Sequence, residues 1–400
     1  TGTFAEVELG FSEEMAREEA QRCLNCAGCS SCMECVKACG LSAIKHDMKD
    51  EIEEIDVGAL VVATGYDVFD PTLLSEYGYG RYKDVVTSME FERMCYSGGP
   101  TSGELVRLST GEPLKSVVFV QCAGSRDKHR GKNYCSKTCC MYTAKHVMLM
   151  TEKIPGARPY IFYMDVRTPG KGYDEFYRRA AEERGAKYIR GRVAKVYPYG
   201  GKLLVKGEDT LSGRPVEVEA DMVVLATPMV AQADAIDLAR RLSVTTDQDG
   251  FFTEAHPKLR PCETNTSGIF LAGACQGPKD IPESVAQASA AAAKVCTILS
   301  KEEWSVSPMV SAVDEELCSG CMHCEMVCPY RAISEKTVPE RILGKTVQRK
   351  VATVNKGVCQ GCGACTVACR TGAMNLAGFA NEEIMSEVDA LCTQKTPAVV

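Results

Sequence analysis

Four hundred residues suffice for about two to four domains, and 45% apolar with 25% charged residues is ordinary globular composition. A formal net charge of −7 gives no footing for nucleic acid or an anionic membrane surface, and no run of about 20 apolar residues offers a membrane span. The 23 cysteines cluster at CxxC spacings in a long chain, which suits metal ligation in a reducing cytoplasm better than a secreted disulfide framework.

The chain starts at Thr1, and its first residues read as the middle of a fold, so an N-terminal portion is expected upstream or on another polypeptide. Phe11–Arg22 predicts a short helix with Ser12 as N-cap and acids in the first turn. It leads into Cys23, Cys26, Cys29, Cys32, Cys35 and Cys39. Six cysteines cannot all ligate one cubane. Cys29, Cys32, Cys35 and Cys39 have ferredoxin spacing and are the first choice for a 4Fe–4S cluster. Cys23 and Cys26 are assigned to a second cluster completed from outside the chain; the alternatives are another metal or none.

Val57–Thr64 (VGALVVAT) is a continuous apolar run closed by Gly65, the form of a strand buried on both faces of a parallel sheet. A βαβ-like unit follows. Ser116–Gln121, Tyr160–Val166 and Tyr188–Val193 read as strands, Ser136–Lys153 and Lys171–Arg184 as helices. Lys202–Ala220 reads as a hairpin turning at Ser212-Gly213. After the Ser116–Gln121 strand, a nicotinamide site needs a Gly-rich turn. The sequence gives CAGSRD (122–127) and YCSKTCCMY (134–142) instead. Cys122, Cys135, Cys139 and Cys140 thus gather at a strand end and a helix start. The reading preferred here is a further 4Fe–4S cluster where the nicotinamide would sit, with a disulfide or scattered core thiols as the alternative.

Asp221–Thr227 (DMVVLAT) repeats the form of the Val57 strand, and Gly268–Gly273 (GIFLAG) is a third such strand. Pro282–Leu299 predicts a helix of small residues, Lys301–Ala312 a polar linker, and Glu382–Leu391 a helix in the tail. Between them stand Cys318, Cys321, Cys324 and Cys328-Pro329, then Cys359, Cys362, Cys365 and Cys369. Three cysteines at i, i+3 and i+6 wrap one loop round a cubane, and the fourth ligates the other cluster. The expected sets are Cys318, Cys321, Cys324, Cys369 and Cys359, Cys362, Cys365, Cys328. Zinc is the alternative, but two four-cysteine runs exceed a zinc ribbon's needs. Cys95, Cys262, Cys296 and Cys392 read as small buried residues rather than ligands. None of the five histidines is assigned to a metal.

The strand order resembles the thioredoxin-reductase class of two-domain flavoproteins, in which a nicotinamide-binding domain interrupts an FAD domain. That resemblance rests on Val57–Gly65 and Thr264–Gly273. It implies FAD near Thr64, Gly65, Gly273, Ala274, Lys279, Asp280 and Ile281, with the following helix aimed at the ring. The chain departs from the class in lacking the GxGxxG turn and in having Ala274-Cys275 where an Asp is usual. A more specific resemblance rests on VGALVVATGYD (57–67), VQCAGSR (120–126), YCSKTCCMYTAK (134–145) and GACQGPKDIPESVAQ (273–287). Together these are similar to the A-type subunit of heterodisulfide reductase, an iron–sulfur flavoprotein. Phe4–Asn25 resembles instead a segment of glutamate-synthase-type flavoproteins, which suggests a bacterial-type or fusion relative.

The expected fold is α/β: a partial thioredoxin-reductase-like flavoprotein core, an N-terminal cysteine-rich segment and a C-terminal two-cluster ferredoxin domain. The expected parts are 1–56 (cysteine-rich), 57–113 and 221–300 (FAD-domain parts), 114–220 (inserted βαβ domain), 301–312 (linker), 313–378 (ferredoxin) and 379–400 (tail). The resemblance implies a cytoplasmic oxidoreductase subunit with FAD and about four or more 4Fe–4S clusters, whose flavin bifurcates or confurcates electrons. It also implies partners: subunits of the heterodisulfide reductase B and C kind, linked to hydrogenase or formate dehydrogenase, and ferredoxin. The rivals are an electron-feeding subunit of a benzoyl-CoA-reductase type and an electron-transfer module without flavin catalysis. A nicotinamide-dependent oxidoreductase is disfavoured by the missing Gly-rich turn.

Overall fold

The computed structural model describes residues 10–21, 34–301, 303, 307–342 and 345–393. The chain divides into two compact units, one of 1–54 with 68–228 and one of 55–67 with 229–400.

The first unit contains a helix at Glu13–Gln21, where Ser12 Oγ accepts the Met15 N–H at 3.3 Å, the expected cap. Its centre is a parallel five-stranded sheet in the order Val85–Thr87, Met222–Leu225, Ser116–Val120, Arg158–Tyr163, Lys187–Arg190. Val118 stands opposite Val223 on one side and Tyr160 on the other. Helices Cys139–Lys153 and Tyr173–Glu182 make the crossovers. The two central strands, SVVFV and MVVL, are buried at every position, as parallel strands covered on both faces must be. Helix Ser88–Cys95, opened by a Thr87/Glu90 capping box, lays Phe91 edge-on to Phe119 at 5.5 Å between ring centres. Val147, Met150, Ile161 and Met222 complete that core. An antiparallel sheet of Val193–Tyr199, Lys202–Asp209 and Arg214–Ala220 belongs to the same unit. Its second hairpin turns at 210–213 as expected, while its first strand was not anticipated.

The Asp221–Thr227 run forms the Met222–Leu225 strand of the five-stranded sheet. Its apolar form repeats that of the Val57 run, but it pairs between the Val85 and Ser116 strands. The reason lies in Asp221. Its Oδ2 accepts the N–H groups of Lys115 and Ser116, both at 2.8 Å, and Lys202 Nζ lies 3.0 Å from Oδ1. These bonds pin the strand to the start of its neighbour. The division between units falls at 228/229.

In the second unit Leu60–Val62 pairs in parallel with Ile269–Leu271. The expectation of a strand buried on both faces fails here: Leu60 is 36% and Val61 42% exposed, and only Val62 is buried. The pair has no further strand beside it among the described residues, so one side of the run is uncovered. Helix Ile281–Leu299 begins with an Asp280/Glu283 capping box and Pro in its first turn, yet only Ala291 is fully buried. Further on, Ser311–Val313 pairs antiparallel with Met374–Leu376, around short helices His323–Met326 and Ala364–Ala368. A long hairpin, Ile333–Ile342 with Lys345–Val354, joins the two cysteine runs and was not anticipated. The tail is helical over Asn381–Thr393. No helix among the described residues is long and apolar enough to cross a membrane.

Candidate functional site

The cysteines of the first unit are brought together by a folded-back loop. Cys122 leaves the Ser116–Val120 strand in the left-handed region at φ +56°, and Arg126 and Lys137 are left-handed too. Such conformations cost non-glycine residues about 1–3 kcal/mol and persist where the surroundings over-determine them. Lys132 N–H donates to the Gly124 carbonyl at 2.8 Å, Arg126 N–H to the Tyr134 carbonyl at 3.1 Å, and Ser125 Oγ to that same carbonyl at 2.7 Å. These bonds carry Cys135 back towards Cys122. Gly124 is required: its φ is +82°, and a Cβ there would meet the Phe69 ring at 2.7 Å.

Cys139 and Cys140 open the Cys139–Lys153 helix, whose N-terminal end favours negative charge. The adjacent side chains diverge. The Cys139 sulfur lies 4.0 Å from the Thr227 carbonyl, and the Cys140 sulfur 3.9 Å from that of Asp165. Lys137 N–H donates to the Cys135 sulfur at 3.3 Å. All four sulfurs lie within electrostatic reach of one another. Burial pushes the Cys122 thiol up to about 11 and Cys139 up to about 12, and raises Cys140. These are thiols reluctant to ionise alone, and metal binding is the general means of forcing deprotonation. The Arg126–Asp165 ion pair borders the group, and Thr138 Oγ1 is buried beside it without a partner. Neither Arg126, Asp165 nor Tyr142 was anticipated as part of this site. Arg126 and Tyr142 lie inside the cysteine-bearing motifs at 120–126 and 134–145 and could have been read there, whereas Asp165 lies outside both and arrives only through the fold.

The C-terminal cysteines form two neighbourhoods. One cavity is lined by Cys328, Cys359, Cys362 and Cys365 together with Ser311, Tyr330 and Ile333. The other neighbourhood groups Cys324 with Cys318 and Cys321, and Cys321 with Cys369. Each therefore takes three cysteines of one run and the last of the other. Backbone and hydroxyl groups already point at the sulfurs. Ala352 N–H donates to Cys318 and Ser311 N–H to Cys359, both at 3.4 Å, and Ala332 N–H donates to Cys328 at 3.3 Å. Ser311 Oγ lies 3.1 Å from the Cys365 sulfur. Arg349, reaching from the long hairpin, donates to the carbonyls of Cys318 and Glu315. Among the described residues no three His, Cys, Asp or Glu side chains converge on the volume of a single ion. A cubane takes thiolates at four corners of a larger body.

Of the N-terminal cysteines, Cys23, Cys26, Cys29 and Cys32 lie outside the described residues. Cys35 lies on helix Glu34–Ala38. Cys39 follows it, and backbone N–H donors, Ala43 first, hold its thiol below the usual range. Of the isolated cysteines, Cys262 is buried and Cys95 half-buried, but Cys296 and Cys392 are exposed, against expectation. Both stand on exposed faces of helices, Ile281–Leu299 and Asn381–Thr393.

The residues expected near a flavin follow the ends of two paired strands. Ala272 N–H donates to the Val62 carbonyl at 3.0 Å, so Thr64-Gly65 and Gly273-Ala274 leave the parallel pair side by side. Gly65 and Gly273 have φ of +80° and +76°. At Gly273 a Cβ would find nothing closer than 3.9 Å, so the left-handed backbone rather than crowding calls for glycine. Gln287 Oε1 accepts the Gly273 N–H at 2.8 Å, and Lys279 Nζ donates to Gln276 Oε1 at 3.0 Å. Asp280 caps the helix that begins at Ile281. An open backbone beside a helix N-terminus fits an anionic, planar cofactor.

Comparison with known proteins follows the same division. The 4Fe-4S dicluster domain family matches residues 317–373. The second iron–sulfur A-type subunit of the CoB–CoM heterodisulfide reductase of Methanopyrus kandleri is 53% identical over 293 residues, 73% of this chain and 45% of its own length. The A-type subunit of the H2:CoB–CoM heterodisulfide, ferredoxin reductase of Methanothermobacter marburgensis is 47% identical over 299 residues, 74% of this chain and 45% of its own. The iron–sulfur A-type subunit of the CoB–CoM heterodisulfide reductase of Methanocaldococcus jannaschii is 46% identical over 357 residues, 89% and 53%. The thioredoxin reductase of T. acidophilum aligns with a TM-score of 0.41 and 16% identity over 61% of this chain and 66% of that one. Over most of its length the chain is homologous to the A-type subunits of CoB–CoM heterodisulfide reductases. It spans about half the length of the curated relatives it matches.

Proposed function

We propose that this chain is the iron–sulfur flavoprotein part of a cytoplasmic, electron-bifurcating or -confurcating oxidoreductase complex. What supports the reading is that Cys122, Cys135, Cys139 and Cys140 gather at the end of the Ser116–Val120 strand and the start of the Cys139–Lys153 helix, in a chain that also holds a dicluster domain. Bound FAD supplies the exchange between paired and single electrons. The chain's own residues do the rest. Gly65 and Gly273 leave backbone open to the cofactor, and the helix N-terminus after Asp280 favours negative charge there. Cys122, Cys135, Cys139 and Cys140 hold one cubane. Cys318, Cys321, Cys324 and Cys369 hold a second, and Cys359, Cys362, Cys365 and Cys328 a third. Cys29, Cys32, Cys35 and Cys39 hold a further one, with Cys23 and Cys26 serving a cluster shared with another chain.

The partner reading draws on the relatives. Their names couple CoB–CoM heterodisulfide to ferredoxin with H2 in one case and with H2 or formate in another. We take ferredoxin and a hydrogenase- or formate-dehydrogenase-linked reductase, with subunits of the B and C kind, as the partners of this chain. Reconstituted anaerobically with FAD, the chain should hold at least about sixteen irons in four cubanes, and reduced ferredoxin should bleach its flavin. NADH and NADPH should not. Bleaching by either nicotinamide, or none by ferredoxin with the clusters in place, contradicts the proposal.

A further inference from the structure

Tyr142 stands three residues beyond Cys139 on the same helix, a spacing that puts both side chains on one face. Its hydroxyl lies 3.5 Å from the Thr227 carbonyl oxygen, and the Cys139 sulfur lies 4.0 Å from that same oxygen. Two donors thus meet at one acceptor. The hydroxyl's bond is long for O–H···O, whose range is about 2.5–3.0 Å. When Cys139 ligates iron it loses its proton and becomes an acceptor only. The Tyr142 hydroxyl is then a donor beside an anionic sulfur, the stronger partner of the two. The Tyr142 hydroxyl is already a hydrogen-bond partner of the Cys139 side chain.

The phenol is held in place. Its ring packs on His146 at 5.7 Å between centres. His146 is itself fixed by Glu92, 2.6 Å from Nε2, and by the Phe91 ring at 5.1 Å. A buried, rigid platform therefore aims the hydroxyl at the strand end where Thr227 and Cys139 meet.

We propose that Tyr142 donates a hydrogen bond to the iron-bound sulfur of Cys139 and thereby sets the reduction potential of that cluster. The proposal rests on the reading of Cys122, Cys135, Cys139 and Cys140 as ligands. No proton is transferred: the O–H stays whole, and the sulfur gains a donor. Hydrogen bonds to cluster sulfurs are among the determinants of potential. A donor stabilises the reduced cluster, which carries the extra negative charge, more than the oxidised one. Removing it must lower the midpoint.

The test is a redox titration of the fully loaded chain followed by EPR. Tyr142→Phe keeps the ring and its packing but deletes the donor. The midpoint of one cluster should fall, with the C-terminal clusters' midpoints and the iron content unchanged. Replacing Tyr142 by a fluorotyrosine, a stronger donor of the same shape, should move that midpoint upward. A packing role would not give opposite shifts from these two changes. Cys139→Ala, run in parallel, identifies the signal by removing it. If Cys139→Ala removes one signal while Tyr142→Phe leaves its midpoint in place, the hydrogen bond is refuted and the ligand reading stands. If Cys139→Ala leaves every signal and all iron, the ligand reading fails and the proposal with it.

Discussion

Residues 313–378 and the sheet unit of 68–228 both gather cysteines, but by opposite means. In the C-terminal region the cysteines are part of the core. Cys318, Cys324 and Cys365 are buried with only Ile333, Val351, Ala352, Ala373 and Met374. In the sheet unit Cys122 and Cys139 are buried as well, but the unit also holds a sixteen-residue apolar cluster that contains none of the four cysteines. The C-terminal region buries few apolar residues besides its cysteines, whereas the sheet unit has a large apolar core beside its own. Small domains with few apolar residues need staples such as a structural metal, and larger cores do not.

The largest expected effect follows from that contrast. Stripping iron anaerobically should abolish amide-exchange protection at Val351 and Ala352 while leaving Val118 and Phe119 protected. Equal protection at both sites before and after would erase the distinction. Next in size, Phe119→Ala should destabilise the sheet unit by about 3–5 kcal/mol, since Phe119 is fully buried against Phe91. The C-terminal iron content should not change, and a parallel loss there would mean that the two regions fold as one. Smaller still for stability is Cys139→Ala. It should lose up to about four irons with the sheet unit's unfolding midpoint in denaturant nearly unmoved. A collapse of the midpoint would make the cluster part of the core after all.

The smallest effect is one of pH. Burial holds the His146 imidazole below its ordinary pKa, so the folded state prefers it neutral, with Nε2 donating to Glu92. Hydrogen bonding from His146 holds Glu92 down at about 2. Both shifts have the same sign. The His146 contribution is fully present above its unfolded pKa of about 6.5 and is lost as pH falls through the lower folded value. The Glu92 contribution is present above about 4.3 and lost towards its folded value, and screening at this partly exposed carboxylate weakens it. Denaturation midpoints of the sheet unit should therefore decline below pH ~6.5, and His146→Gln should flatten the first part of that decline. An unchanged profile would show that the imidazole ionises freely.

The same contrast explains what the sequence made legible. Paired CxxCxxC runs encode their site in local spacing, so the C-terminal cysteines could be grouped from the sequence, and so could the sheet strands SVVFV and MVVL as strands. Which sheet MVVL joins could not be read, because Asp221 decides it through bonds to Lys115 and Ser116, over a hundred residues away in sequence. The loop that returns Cys135 to Cys122 was equally hidden. It depends on left-handed residues and on Gly124 clearing Phe69, none of which periodicity reports. Asp165 pairs with Arg126 across 39 positions and joins the site only once the strands are laid side by side.

In the function proposed for this chain, the sheet unit's cysteines hold a cluster through which electrons pass between the flavin and the other clusters. Stopped-flow reduction of the loaded chain by reduced ferredoxin tests it most directly, comparing the unaltered chain with Cys139→Ala. The variant should keep its flavin and C-terminal clusters, and its flavin reduction should slow sharply. Flavin reduction at the unaltered rate, with the variant's iron content undiminished, would contradict it.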